Sequence, residues 1–337
     1  MKILVTGGAG YVGSMLISKL IKKHNVTCLD RFFFGDEYLK KIKSNRLKLI
    51  KDDIRWFDPT ILKNIDIVLD LAALSNDPSA ELNPTNTYDI NFLGRSRVAK
   101  YSKQFGVKKY ILASTASVYG FRNTIANERS KVNPLTTYAK ANWQAENEVL
   151  PLNDDSFSVT VLRFGTVYGV SPRMRFDLAV NIMTYNLFIS GKITIDGDGS
   201  QSRPFVHIND VVRSYESVIN ANSKTVGGEI FNVGSKSQNY TISNLAKEIG
   251  RHSGIDYEII HKGTNDKRSY QASFDKIENE LNFQTKFTVK NAVNDIINKL
   301  QSNELELTKK TITLEWYKHL IEMKILIDKI SVRDKIL

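Results

Sequence analysis

Cysteine is nearly absent from this sequence. Cys28 is the single cysteine among 337 residues. An internal disulfide framework and a multi-cysteine metal site are therefore excluded, and a reducing cytoplasm is the natural setting. No His/Cys/Asp cluster has the spacing of metal ligands. Long apolar runs are absent too, since no segment approaches the roughly 18 residues that span a membrane. We expect a cytoplasmic protein with no metal, no signal peptide and no membrane contact.

Acidic residues are outnumbered, with 36 Asp and Glu against 47 Lys and Arg, and the net charge is +11. This excess favours an anionic partner, either nucleic acid or a phosphorylated small molecule. The basic residues are dispersed along the chain, and no pattern of basic and aromatic residues typical of a nucleic-acid-binding module is recognisable. We therefore expect no nucleic-acid partner. Hydrophobic residues make up 42% of the chain, which is ordinary for a folded protein and excludes a disordered or fibrous one.

The first half of the chain alternates β-rich runs with amphipathic stretches of helical length, which is typical of βαβ units and predicts a doubly wound α/β fold with a parallel sheet. The predicted strands are Lys2 to Thr6, Asn25 to Asp30, Leu47 to Lys51, Asp66 to Ala72, Lys109 to Ser114 and Ser158 to Phe164. The predicted helices are Tyr11 to Lys23, Asn83 to Phe105 and Thr136 to Val149.

The alternating pattern ends near Gly169, and the chain length suits two lobes. We predict a first domain over residues 1–170, with a segment of about residues 203–235 packing back onto it. Residues 171–303 form most of a smaller second lobe in this prediction. Residues 304–337 are lysine-rich with apolar residues at helical spacing, and they are predicted to be an amphipathic helical tail.

Glycines follow the first predicted strand at a three-residue spacing, at Gly7, Gly10 and Gly13. A backbone without β-carbons can turn tightly and approach a pyrophosphate, which then meets the free amides at the start of a helix. The strand, turn and helix occur in the required order. The motif therefore predicts a dinucleotide site.

Asp30 ends the second predicted strand, where an acid can bind the adenosine ribose hydroxyls of NAD and repel the extra phosphate of NADP. NAD is therefore favoured. The adjacent Arg31 argues in the other direction, because an arginine at this point can accommodate that phosphate. Asp53, which follows the third strand, is placed near the adenine amine.

Further motifs follow in a fixed order, and together they resemble the extended short-chain dehydrogenase/reductase family, specifically its nucleotide-sugar epimerases and dehydratases. They are the Gly7 to Gly13 turn, Asp30, Asp53-Ile54, Leu71-Ala72-Ala73, Asn91, Thr115 with Val118-Tyr119-Gly120, Tyr138, Arg163 with Tyr168-Gly169, and Arg203 to His207 with Asp210. The resemblance covers the chain up to about residue 303.

The resemblance implies a Rossmann domain that binds NAD and a C-terminal lobe that closes over a nucleoside diphosphate sugar. Tyr138 would be the general base or acid at a sugar hydroxyl, with Thr115 bonded to the same oxygen and Asn142 beside them. The cofactor would contact Gly7, Gly10, Tyr11, Val12, Gly13, Asp30, Arg31, Asp53, Ile54, Leu71, Ala72, Ala73, Asn91, Ser114, Tyr138 and Asn142. The sugar nucleotide would contact Thr115, Thr166, Arg203 and Arg268. Relatives commonly form homodimers through the helices predicted at Asn83 to Phe105 and Thr136 to Val149.

Asn142 departs from the family pattern, which has a lysine four residues after the tyrosine. A phenol with a reference pKa near 10 needs a nearby positive charge to act as a base. Asn142 supplies none, and Lys140 points away from the face of Tyr138. We therefore expect a less acidic Tyr138 and an activity optimum displaced to higher pH. We also expect Asn142→Lys to lower the basic pKa, and a non-catalytic binding protein stays open as an alternative.

The residues after Thr115 bear on the reaction. Nucleotide-sugar 4,6-dehydratases usually carry an Asp-Glu pair there, whereas this chain has Ala116 and Ser117. Neither side chain can do carboxylate acid-base work. The small pair is similar to that of the 4-epimerases, which oxidise C4 to a ketone and return the hydride to the other face. A nucleotide-sugar 4-reductase or dehydrogenase would use the same Tyr138 and Thr115 and stays an alternative.

Overall fold

A computed structural model describes residues 1–263, 268–332 and 335 of the chain. Its strands are β1 (Lys2–Thr6), β2 (Asn25–Asp30), β3 (Leu47–Lys51), β4 (Ile67–Asp70), β5 (Lys109–Thr115), β6 (Ser158–Phe164), β7 (Thr166–Tyr168), β8 (Lys192–Asp196), β9 (Ser202–His207), β10 (Glu229–Val233), β11 (Asn239–Thr241) and β12 (Glu258–Lys262). Its α-helices are α1 (Tyr11–Leu20), α2 (Glu37–Lys40), α3 (Asp77–Ala80), α4 (Pro84–Tyr88), α5 (Arg95–Gln104), α6 (Thr137–Val149), α7 (Ala179–Ser190), α8 (Ile208–Asn220), α9 (Ser223–Val226), α10 (Ile242–Ser253), α11 (Asp275–Leu281), α12 (Val289–Gln301) and α13 (Thr313–Ile330).

Seven strands form the central sheet in the order β10-β6-β5-β4-β1-β2-β3. Every pairing in it is parallel. This is the doubly wound Rossmann arrangement predicted from the alternating pattern. The strand order reverses between β1 and β4. The chain therefore leaves the carboxyl ends of these two strands in opposite directions, and a crevice opens between the connections.

The core lies on both faces of this sheet, because alternate residues of a strand point to opposite faces. On one face Ile3 and Val5 pack with apolar side chains of α1 and α8. On the other face Leu4 packs with Val98 of α5 and Val149 of α6. Both faces of β1 are buried, which explains why its residues read as one continuous apolar run.

Two smaller sheets lie in the C-terminal half. β9 pairs with β7 in parallel and with β11 in antiparallel orientation, and β8 pairs with β12 in parallel. Their shared core includes Tyr168, Phe205 and Leu245. In the tail, α13 lies against the first half of the chain, where the Trp316 indole donates to the Phe33 carbonyl at 2.6 Å.

None of the helices in the described ranges combines the length and the apolar composition that crossing a membrane requires.

All six predicted strands are present, with β4 shorter than predicted. The helix predicted over Asn83 to Phe105 is not continuous: α4 passes into a π-helical turn at Asp89–Gly94 before α5 begins. A π turn inserts one extra residue into a helix and leaves the three-and-four spacing of apolar residues nearly intact. The sequence pattern therefore did not reveal it. In the tail, the helix begins at Thr313 rather than near Glu304.

A buried polar cluster joins α1 to the chain that follows β7. The Tyr11 hydroxyl donates to the Gly169 carbonyl at 2.5 Å, and Ser171 Oγ donates to the Tyr11 carbonyl at 2.7 Å. Asn181 on α7 completes the cluster, because its Oδ1 accepts from the Gly169 amide at 2.9 Å and its Nδ2 donates to the Arg175 carbonyl at 2.8 Å. Asn181 thus satisfies backbone groups that have no access to water.

Asn181→Ala is expected to lower the free energy of unfolding by about 1–3 kcal/mol, because the Gly169 amide would stay buried without a partner. Chemical denaturation of the purified protein measures this. Asn186→Ala, on the same helix with a partly exposed side chain, is the matched control and should change stability by less than about 0.5 kcal/mol. Equal effects of the two substitutions would contradict the assigned role of Asn181.

Candidate active site

A cleft of about 760 Å³ opens at the carboxyl ends of β1, β4 and β5, at the crevice where the strand order reverses. Of the predicted cofactor residues, those that line it are Gly7, Gly10, Tyr11, Val12, Gly13, Asp30, Arg31, Asp53, Ile54, Leu71, Ala72, Ala73, Ser114, Tyr138 and Asn142. The predicted substrate residues Thr115, Thr166, Arg203 and Arg268 line the same cleft. The fold therefore brings together residues that are as far as 261 positions apart in the chain.

Asn91 was predicted to contact the cofactor, but it is fully buried and is not among the residues that line the cleft. Its Oδ1 accepts from the Leu74 amide at 2.8 Å and its Nδ2 donates to the Leu74 carbonyl at 3.0 Å. Leu74 itself lines the cleft. Asn91 therefore shapes the wall of the cleft by holding the loop after β4, and its direct contact with the cofactor stays a prediction.

The glycine turn leaves no room for β-carbons. Gly7 has φ of +65°, and a β-carbon on it would lie 2.8 Å from the Cα of Ala72. A β-carbon on Gly13 would lie 2.4 Å from the Gly7 carbonyl oxygen. The start of α1 is thus pressed against the ends of β1 and β4, with its free amides at the cleft. This backbone cradle fits the pyrophosphate of a dinucleotide.

Asp30 lies at the end of β2 with both carboxylate oxygens engaged. Oδ2 accepts from the Ala9 amide at 2.9 Å and Oδ1 from the Phe32 amide at 2.7 Å. Burial raises the pKa of Asp30, while these amides act in the opposite direction. Arg31 points to the other acid, since its Nη1 lies 2.9 Å from Asp53 Oδ2. Asp30 thus has fixed geometry, and Arg31 has an internal partner.

Tyr138 and Thr115 meet where β5 and α6 converge. Thr136 caps α6, its hydroxyl accepting from the Ala139 amide at 3.2 Å, and this places Tyr138 in the first turn. Thr115 is the last residue of β5, and its Oγ1 accepts from the Ser117 amide at 3.1 Å. The Thr115 side chain lies near enough to the Tyr138 phenol to act toward a lower pKa. A phenol and a hydroxyl therefore face the cleft together.

The environment of the phenol works against ionisation. Burial raises the pKa of Tyr138, and the Asp77 carboxylate raises it further. Arg95, Thr115 and Arg175 lower it, but the net shift is upward from the ordinary value. Positive charge around this phenol consequently decides how much phenolate exists near neutral pH.

Asn142 lies one turn beyond Tyr138 and is buried. Its Nδ2 donates to the Tyr138 carbonyl at 2.8 Å, and its Oδ1 accepts from Arg95 Nη1 at 2.7 Å. The helical spacing was interpreted as leaving Tyr138 without a cationic side chain beside it. That interpretation is incomplete, because it missed Arg95, which comes from the preceding helix. Lys140 is exposed, as the helical spacing predicted.

The predicted substrate arginines have partners within the chain. Arg203 donates to the Ser202 carbonyl at 2.8 Å and to the Arg268 carbonyl. The Arg268 guanidinium forms an ion pair with Asp77, which also accepts a hydrogen bond from the Thr136 hydroxyl. Both arginines line the cleft, and this network connects the second lobe to the start of the tyrosine helix.

A second charged group in the cleft was not predicted. Arg175 donates to Asp177 Oδ2 at 2.8 Å and to Ser75 Oγ at 3.1 Å. Burial alone would raise the pKa of Asp177, but Arg175, Arg173 and Thr313 together outweigh it and the pKa is lowered. Burial lowers the pKa of the neighbouring Arg173 to about 10. The sequence signal for this group is the alternation of Arg173, Arg175 and Asp177 with the apolar Met174 and Phe176.

Within the described ranges, no three His, Cys, Asp or Glu side chains are grouped to hold a metal ion.

Comparison with known proteins extends this picture. The family model described as NAD dependent epimerase/dehydratase family matches residues 3–234. The UDP-glucuronate 4-epimerase of Thermodesulfobacterium geofontis is 30% identical over 325 residues, which cover 91% of this chain and 98% of that protein. An uncharacterized UDP-glucose epimerase of Bacillus subtilis is 32% identical over 247 residues, 69% of this chain and 77% of the relative.

Solved structures are similar over most of the chain. The UDP-glucuronic acid 4-epimerase from Bacillus cereus, in complex with UDP-glucuronic acid and NAD, superposes with a TM-score of 0.80 at 25% identity. The match covers 90% of this chain and all of that one. The UDP-glucose 4-epimerase from Thermotoga maritima with UDP-glucose gives the same values. With its glycine cradle, its Tyr138 and Thr115 pair and this match, the chain belongs to the NAD-dependent epimerase/dehydratase family, and its cofactor is NAD.

Proposed function

We propose that this protein is an NAD-dependent nucleotide-sugar 4-epimerase that acts through a 4-keto intermediate. The observation that carries the proposal is the Tyr138 and Thr115 pair at the cleft, followed by Ala116 and Ser117 where a dehydratase has acids. The 4-epimerases among its relatives, which the chain matches over most of its length, support the same reaction.

In the proposed reaction Tyr138 accepts the proton of the sugar C4 hydroxyl while the hydride leaves C4, and Thr115 hydrogen-bonds the same oxygen. Bound NAD supplies reversible hydride acceptance and donation. After the 4-keto sugar rotates, Tyr138 returns the proton to the oxygen as the hydride adds to the opposite face. Protons and electrons balance within one turnover, so no net oxidant is consumed.

The carboxylates of the cleft favour epimerisation over 4,6-dehydration. Ala116 is buried, and Ser117 carries a hydroxyl near the Tyr270 hydroxyl at 3.4 Å. Asp77 is paired with Arg268, and Asp177 is paired with Arg175. Arg175 lowers the pKa of Asp177, so this carboxyl is a poor proton donor. These pairings leave Tyr138 as the proposed proton carrier.

We infer that the substrate is a nucleoside diphosphate sugar, with UDP-glucose and UDP-glucuronic acid as the first candidates because relatives are named for them. In this proposal residues 1–170, with 203–235, hold NAD, and residues 171–303 hold the sugar nucleotide through Arg203, Arg268 and Thr166. Arginine forks suit the diphosphate oxygens. Tyr317 of α13 lines the cleft, and the neighbouring Trp316 donates to the Phe33 carbonyl beside the proposed cofactor end.

We also propose a cytoplasmic homodimer formed through α5 and α6. The support is the predicted pairing of these helices and the 53% exposure of Leu93, which lies in the π-helical turn two residues before α5. Light scattering of the purified chain reports the mass of the particle directly.

Tyr138→Phe is expected to lower turnover by about 10²- to 10⁴-fold, because it removes the proton carrier, while NAD affinity changes little. The assay is proton NMR and mass spectrometry of UDP-glucose, UDP-glucuronic acid and dTDP-glucose incubated with protein and NAD. Tyr257→Phe, at an exposed position, is the matched control and should keep full turnover.

The product identifies the reaction. A product of unchanged mass with an inverted C4 supports the 4-epimerase. Loss of water would contradict the argument from Ala116 and Ser117, and a change of two hydrogens would indicate a dehydrogenase or reductase. Turnover unaffected by Tyr138→Phe would remove the phenol from the mechanism, and absence of turnover on the whole panel would favour the binding-protein alternative.

Asp30 is expected to set the preference for NAD. Asp30→Ala should weaken NAD binding by about tenfold or more, because a hydrogen bond to a charged group contributes about 1.5–3 kcal/mol. Arg31→Ala should change NAD affinity by less than about threefold, since Arg31 is already bound to Asp53. Isothermal titration with NAD and NADP tests both. Tight NADP binding that disappears in Arg31→Ala would reverse the assignment.

A further inference from the structure

Arg95 is fully buried at the base of the cleft. Its Nη2 donates to the carbonyl oxygens of Asp70 and Ala113, at the ends of β4 and β5. Its Nη1 donates to Asn142 Oδ1 at 2.7 Å. One guanidinium therefore ties two strands of the sheet to the tyrosine helix, directly below the proposed proton carrier.

The link to Tyr138 has two hydrogen bonds. Arg95 holds the Oδ1 of Asn142, and this orients the amide so that Nδ2 donates to the Tyr138 carbonyl at 2.8 Å. The orientation of the Asn142 amide follows from Arg95, because a guanidinium can only donate and must face the oxygen. Asn142 thus connects the Arg95 guanidinium to the backbone of the first turn of α6.

The carboxylate of Asp70 is the countercharge of Arg95, and it lies on the Nε edge of the guanidinium. Asp70 Oδ2 is 3.8 Å from Arg95 Nε, and that nitrogen has no hydrogen-bond partner in the described structure. Asp70 is occupied by the hydroxyls of Thr6 and Tyr110. Asp70 and Arg95 thus form a buried ion pair that is longer than a hydrogen bond, and the Nη1 edge of the guanidinium faces Asn142 and the tyrosine helix.

We propose that Arg95 is a positioning residue that supplies, from α5 and through Asn142, the positive charge beside Tyr138 that the family pattern places on the tyrosine helix itself. The inference rests on the proposed role of Tyr138. The charge of Arg95 lowers the pKa of Tyr138, although burial and Asp77 keep the net shift upward. Arg95 acts on the phenolate by stabilising it and does not exchange protons itself.

In the described structure, the other charged groups around Tyr138 are either paired with an opposite charge or exposed. Asp77 is paired with Arg268, and Arg175 is paired with Asp177 at 2.8 Å. On the same helix, Glu146 is paired with Arg163 at 2.5 Å, and Lys140 is exposed. Compared with Arg175, Arg95 has its nearest carboxylate a full ångström farther away. Its charge is therefore less compensated at short range.

The test compares a neutral and a charged replacement. Arg95→Gln should raise the pKa of Tyr138 by about one unit, whereas Arg95→Lys, which retains the charge, should raise it by less than about a third of that. Both variants lose hydrogen bonds of the guanidinium, so a purely structural role predicts equal effects. Arg97→Gln is the matched control on the same helix, since Arg97 packs against Phe57 and Tyr101.

The readout is the ionisation of the phenol and does not require turnover. The protein with bound NAD is titrated by NMR of ring-labelled tyrosine, and the Tyr138 signal is assigned by its loss in Tyr138→Phe. Thermal melting and NAD affinity of each variant report folding separately. If the protein proves not to be an epimerase, the phenol titration still decides whether Arg95 acts on Tyr138.

Asn142→Lys provides a second route that leaves Arg95 in place. With Arg95 present, an added ammonium would lie beside a buried guanidinium and lose its proton, so the pKa of Tyr138 should stay within about half a unit. This replaces the expectation from sequence alone. In the Arg95→Gln background the same substitution should lower the pKa back toward the wild-type value.

Three results would overturn the proposal: an unchanged phenol in folded Arg95→Gln, equal shifts for the Gln and Lys replacements, or a fall of about a unit or more with Asn142→Lys alone. A rise with Arg95→Gln that Arg95→Lys avoids supports it. If Arg95→Gln does not fold, Asn142→Lys alone still tests the proposal. An unchanged pKa of Tyr138 supports a cation supplied by Arg95, and a lowered pKa supports the absence of such a cation.

Discussion

A guanidinium removed from water needs hydrogen-bond acceptors, and the site is arranged so that both terminal nitrogens of Arg95 have them. Two carbonyl oxygens from the ends of β4 and β5 and one amide oxygen from α6 surround it. Breaking such a group away from its partners typically costs about 3–5 kcal/mol. The sheet edge, the helix that carries Tyr138 and the helix that carries Arg95 are consequently held in one relative position.

The opposite wall of the cleft depends on the same edge of the sheet. Gly7 and Gly13 let the backbone of α1 approach the ends of β1 and β4 more closely than any β-carbon would permit. Amides then line one side of the crevice, while Tyr138 and Thr115 line the other. The reversal of strand order leaves space between them. In the proposed function, cofactor binding and proton transfer therefore take place at neighbouring strand ends of one sheet.

How much of this could be predicted from the sequence depended on whether a feature is local. The strands were predictable because buried parallel strands are continuous apolar runs, and the glycine turn because its spacing reflects a local backbone requirement. Arg95 was not predictable in this way, since its surroundings come from β4, β5 and α6. Asn91 was assigned to the cofactor by resemblance, whereas its amide holds Leu74 through contacts that only the fold creates.

The π-helical turn explains how an arginine on α5 can reach the tyrosine helix at all. One extra residue rotates the following helix by roughly 100° relative to an uninterrupted α-helix. The turn at Asp89–Gly94 ends immediately before Arg95. Without it, the direction of residue 95 relative to α4 would differ by about that angle, and its side chain would leave the strand ends. The π-helical turn thus allows the positive charge near Tyr138 to come from α5. Asn142 accepts the hydrogen bond of that guanidinium.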